Sequence, residues 1–151
     1  MTAWFIKILN GIMYLLLINH KIFMKKGFVA NIEKDVLENE NFRKVVFTSQ
    51  HGQVVLMNLN PLEEIGMEVH EYTDQFFRFE KGEGKVIIDG EEAKVSDGFA
   101  VVVPAGSQHN VVSTSDKNPL KLYTIYMPAH HKDGIVHKTK AVAEADIEDH
   151  L

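Results

Sequence analysis

The sequence predicts an all-β chain folded as an antiparallel sandwich or barrel. Three observations lead there. From Lys44 onward, short β-branched and aromatic runs alternate with turn residues at the spacing of such folds. Only the stretches 32–40 and 139–149 have helical character, and neither leaves room for the crossover that parallel strands need. The chain has 151 residues, 45% of them hydrophobic, a length at which one core buries roughly 70% of the unfolded surface.

Taken in order, a helix is expected over 32–40, followed by a hairpin of strands 45–49 and 53–59 across His51-Gly52, closed by Asn60-Pro61. Strands at 65–70, 75–80, 85–88, 92–95, 99–103, 109–113 and 120–127 come next, and a second helix over 139–149 ends the chain. Asp89-Gly90 is a type I′ turn signal, and Asp97-Gly98 marks another turn. There is no repeat and no internal linker.

Charge and cysteine usage narrow the function classes. The formal net charge is -5, and only Arg43 and Arg78 are arginines among the 16 basic residues, so the clustered basic footprint of a nucleic-acid binder is missing. Zero cysteines removes thiolate metal sites and cysteine nucleophiles.

Residues 1–23 differ from the rest. They carry no acid, and from Trp4 to Ile18 only Lys7, Asn10 and Gly11 interrupt an apolar run. Three readings are open: a signal peptide, which lacks a basic n-region and a small-residue cleavage site; a membrane anchor; or a mis-set start upstream of Met24. Lys21, Lys25 and Lys26 flank the run on one side against Lys7 on the other, so anchor and mis-set start both leave the domain cytoplasmic. The expected organisation is an N-terminal extension over 1–23, a strap over 24–44, a β-barrel over 45–128, and a C-terminal loop and short helix over 129–151.

Alternation in strands puts Glu68 and His70 on one face, and likewise Gln75, Phe77 and Phe79. Phe77, Phe79, Val111, Leu122, Thr124 and Tyr126 are expected to line the interior, with Arg78 and Asp74 outward. No interior Lys or Arg is visible, which counts against a phosphorylated ligand, because a buried phosphate needs a cation. His130, His131 and His137 lie in a loop and are expected to be solvent-exposed, with a place for one of them at the pocket mouth as the alternative; His20, His51 and His150 have no partner in view.

Glu68-x-His70, four residues, Gln75, six residues and Gly82 are followed after fifteen residues by Gly98, five residues, Pro104-x-Gly106, two residues and His109. Over about 45–128 this spacing resembles the two signature motifs of the cupin superfamily, and small single-domain cupins of the mannose-6-phosphate isomerase-like kind in particular. The resemblance implies a cupin jelly-roll and a metal site. In it, Glu68 stands at the place of the first histidine, Gln75 at that of the usual glutamate, and His70 and His109 at histidine positions; Ser113 replaces a frequent asparagine.

The implied ligands form an N₂O₂ set for one divalent ion, Zn, Mn, Fe or Ni, carrying a single negative charge. Tyr126 is the candidate catalytic residue, as an acid whose buried hydroxyl needs a partner. The expected function is action on a small hydroxy-carbonyl or sugar-like molecule, as an isomerase. A dioxygenase-type or non-catalytic small-molecule-binding cupin is the alternative. A homodimer is expected from the exposed-edge problem.

Overall fold

The computed structural model describes residues 27–149. The extension over 1–23, with its anchor and start-site readings, and His20 and His150 lie outside the described residues, among which no helix is long and apolar enough to cross a membrane. The elements are α1 (Ile32–Glu38), β1 (Arg43–Thr48), β2 (Gln53–Leu59), β3 (Glu68–Val69), β4 (Asp74–Lys81), β5 (Glu83–Ile88), β6 (Glu91–Ser96), β7 (Ala100–Val103), β8 (Gln108–Ser113), β9 (Leu120–Met127), β10 (Val136–His137) and α2 (Lys140–Ala145). Two antiparallel sheets result, one ordered β10-β1-β2-β9-β4-β7 and the other β3-β8-β5-β6.

The core lies between the sheets. Phe77 and Phe79 from β4, Leu122 from β9, Val55 and Met57 from β2 and Val111 from β8 are all fully buried, as the alternation requires. Arg78 alternates outward, and Asp74, exposed at the start of β4, accepts the Ala105 backbone N–H with its carboxylate at 2.8 Å. On the outer face of the larger sheet, α1 packs against β2, β4 and β9 and buries Val36. Asn31 caps its start by accepting the Lys34 N–H, and the Lys121 ammonium donates to the Leu37 and Asn39 carbonyls at its end. Burial pushes the Lys121 pKa down from its ordinary value.

Turn chemistry sets the hairpins. Asp89 and Gly90 have φ of 49° and 87°, the two left-handed residues a type I′ turn needs between β5 and β6. Gly84 lets the sheets approach closely, since a Cβ there would lie 2.7 Å from both the Leu120 side chain and the Val112 carbonyl.

Three departures from the expected elements have local causes. The strand expected over 65–70 shrinks to Glu68–Val69, because Gly66 at φ 112° turns the chain and gives its N–H to the Asn110 side chain. A tenth strand, β10, pairs with Arg43 and Lys44, and at two residues it is too short to leave a pattern. The helices stop early, at Glu38 and Ala145, where the Asn39 and Asp146 backbone N–H groups close their last turns.

Candidate metal centre

The site forms at the end of the sandwich where β3 and β8 of the smaller sheet face β4 and β9 of the larger one. Register places Glu68 directly opposite His109 and Gln75 directly opposite Tyr126, so each sheet contributes a cross-strand pair. His70 follows β3, its carbonyl accepting the Gly106 N–H at 2.9 Å and so joining the first motif to the Pro104-Ala105-Gly106 turn. His70, Gln75, His109 and Tyr126 are buried, and Glu68 is partly so.

Their polar atoms converge on one point. Glu68 Oε1 lies 3.3 Å from His70 Nε2 and 3.6 Å from His109 Nε2, and the three residues form a group able to hold a metal ion. Both Glu68 Oε1 and His70 Nε2 are buried without a hydrogen bond. Gln75 Oε1 lies 2.9 Å from His109 Nε2, while its Nε2 donates to the Thr124 hydroxyl at 3.0 Å, which turns the amide oxygen toward the site. Tetrahedral donors with bonds of about 2.1 Å stand about 3.4 Å apart. The residues present therefore fit a divalent ion better than they fit one another.

The electrostatics agree. Burial alone would raise the Glu68 carboxyl, but the His109 and His70 rings outweigh it and hold Glu68 well below the usual carboxylate range, hence anionic. Burial opposes charge on His109, yet Glu68 and the Ser107 carbonyl at its Nδ1 raise its pKa above the ordinary value. Desolvation pushes the Tyr126 hydroxyl upward, so it stays protonated and can only donate or accept a hydrogen bond.

The C-terminal segment corrects the sequence reading. His131 and His137 are 1% and 2% exposed, not solvated. The interior also holds a cation: Arg43, 7% exposed, donates to Asp149 at 3.0 Å, and the same carboxylate oxygen lies 2.8 Å from His131 Nδ1. His130 is half-buried, with its ring centroid 4.2 Å from that of His70 and 5.5 Å, nearly parallel, from that of Tyr126. No motif marks these residues; the only signal in the sequence is three histidines within eleven positions of Tyr126 and an aspartate 23 positions from it. His51 is exposed.

Comparison with known proteins matches the Cupin domain model to residues 55–126. The uncharacterized protein YrkC of Bacillus subtilis (strain 168) is 44% identical over 131 residues, covering 83% of this chain and 70% of that protein. An uncharacterized protein of Acanthamoeba polyphaga mimivirus is 40% identical over 111 residues, covering 71% of this chain and 69% of its own length. The crystal structure of BH2720 from Bacillus halodurans superposes with a TM-score of 0.78 at 42% identity, over 82% of this chain and 97% of that one. With the cupin model spanning β2 through most of β9 and relatives this similar over most of their length, the chain belongs to the cupin family.

Proposed function

We propose that the protein binds one divalent ion, Zn, Mn, Fe or Ni, through Glu68, His70, His109 and Gln75, and acts as an isomerase on a small hydroxy-carbonyl or sugar-like molecule. The mannose-6-phosphate isomerase-like resemblance belongs to the same reading. The observation that carries it is the meeting of Glu68 Oε1 and His70 Nε2, buried and unsatisfied, with His109 Nε2. A bound ion would supply Lewis-acid polarisation of a carbonyl oxygen.

The chain's own residues divide the remaining work. Glu68 supplies the only negative charge among the four donors, so the loaded site keeps a net positive charge that attracts oxygen donors. Thr124 holds Gln75 in its orientation, as described above. Tyr126, kept protonated by burial, can donate a hydrogen bond to a ligand oxygen or protonate it as an acid. Phe77, Val111 and Leu122 close the floor and exclude water from it. Arg43 is interior, but its charge is matched by Asp149, so among the described residues the site offers no spare cation to a phosphate, which favours an unphosphorylated ligand.

That apolar floor also favours a second reading, in which the site captures a carboxylate or sugar without turnover, since binding needs no base. A dioxygenase-type reaction belongs with iron or nickel, isomerisation with zinc or manganese. We further propose that the protein works in the cytoplasm as a homodimer.

Elemental analysis of protein purified without added metal is the test, followed by a turnover screen of the loaded protein against free sugars, sugar phosphates and enolisable diketones. Stoichiometric metal with metal-dependent turnover supports the isomerase. Saturable thermal stabilisation without turnover supports the binding reading. Absence of metal in protein grown with each ion in excess refutes both.

A further inference from the structure

The segment after β9 lies outside the matched cupin residues, 55–126, yet it builds a wall of the site. Its first histidine, His130, sits against two site residues: its ring contacts those of His70, a proposed metal ligand, and Tyr126, the proposed acid. Its nitrogens do not join the group that Glu68, His70 and His109 form, so it borders the donors without being one of them. It is half-buried, so part of the residue stays accessible.

What holds His130 there is built with care that a surface loop does not need. Gln53, fully buried on β2, accepts the backbone N–H of His130 at 3.3 Å and of His131 at 3.0 Å through Oε1, and donates from Nε2 to the His131 carbonyl at 2.7 Å. The His131 side chain is then pinned by Asp149, which Arg43 of β1 neutralises. His131 also meets Tyr126 edge-on with centroids 5.0 Å apart and His130 at 4.9 Å. A buried ion pair is a costly way to fasten a loop, and apolar residues of the same volume would serve stability as well or better. Its distinguishing property is that it fixes one geometry.

Resting on the metal site proposed above, we infer that His130 is a ligand-contacting residue: an imidazole N–H placed beside the ion to donate to an oxygen of the small hydroxy-acid or hydroxy-carbonyl compound bound there. Arg43, Asp149 and His131 are positioning residues that act through it.

The full-length chain is loaded with Co²⁺, read by its visible absorption, and then titrated with glycolate as the probe. Wild type should take up one equivalent and respond saturably to glycolate. His130→Ala should keep Co²⁺ affinity within about twofold while weakening glycolate about tenfold, the scale of one hydrogen bond to a charged group. His130→Asn, which retains an N–H donor, should recover part of that loss. Asp149→Asn should reproduce the His130→Ala deficit, and the double variant should be no worse than either single one, as expected when two residues act through one contact. Arg43→Lys serves in place of Asp149→Asn if the latter does not fold.

Failure to bind Co²⁺ at all overturns the metal site itself and this inference with it. A wild type that binds Co²⁺ but gives no saturable glycolate response overturns the inference alone. So does a His130→Ala protein that binds glycolate within twofold of wild type, or one that loses Co²⁺, which would make His130 a donor to the ion. An Asp149→Asn protein with lowered Tm but undiminished glycolate binding overturns the positioning role.

Discussion

Replacing Asp149 by Ala should be among the most destabilising single changes in the chain. The carboxylate is fully buried and lies 3.0 Å from the Arg43 guanidinium, whose side chain is only 9% exposed and whose Nε makes no hydrogen bond. Removing the acid leaves that guanidinium charged, dry and without its counter-ion. Breaking a buried pair from one side costs about 3–5 kcal/mol, and the loss of the contact to His131 adds in the same direction. At about 2–4 °C per kcal/mol for a chain of this size, Tm should fall by about 6–20 °C. The double change Arg43→Met with Asp149→Leu removes both charges while keeping apolar volume, and should recover most of that loss. Urea titrations with matched m-values give the comparison directly. A loss below about 1 kcal/mol for Asp149→Ala, or a double variant as unstable as the single one, would refute the reasoning, because it would mean that the guanidinium is not in a dry, counter-ion-dependent place.

Other expectations concern the metal centre and the chain's end. Replacing His70 or His109 by Ala should abolish stoichiometric metal in elemental analysis, whereas His131→Ala should retain it. Gln75→Glu should tighten metal binding by about tenfold or more, since it adds a second carboxylate and the Thr124 hydroxyl can rotate to donate to it; unchanged or weaker affinity in a competition titration removes Gln75 from the donor set. Hydrogen bonding from His137 holds Asp146 below its ordinary carboxyl value. A carboxyl depressed in the folded state adds stability above its unfolded pKa and loses it as pH falls through the lower folded one, so Asp146→Asn should lower stability near neutrality and flatten the profile below about pH 4, where the difference from wild type closes.

The two sheets and the converging residues were legible because they follow short-range rules. Alternation orients Gln75, Phe77 and Phe79 without knowledge of any partner, and the spacing from Glu68 to His109 fixes which strand ends meet. The segment after Pro128 obeyed no such rule. Burial of His131 depends on Asp149, and Asp149 is paired with Arg43, 106 positions away. Such a triad has no period and no local propensity, only a three-dimensional meeting. Strand β10 escaped notice for a related reason: two residues gain their strand geometry from the edge of β1 and not from their own composition.

The sandwich is unequal from end to end. Around Gly84, Val95 and Leu120 the sheets touch through side chains packed at van der Waals distance, whereas around Glu68, Gln75 and His109 they meet through polar atoms that leave each other partly unsatisfied. Glu68 also arrives on a strand of only two residues, the least anchored backbone in the smaller sheet. Amide exchange should therefore grade along the strands, slow at the Leu120 end and faster toward His109, with the layers parting first where the ion would sit. An ion held jointly by β3, β8 and β4 would act as a clasp across that seam. Its capture would slow the fast end selectively, and its escape would be timed by the parting of two sheets.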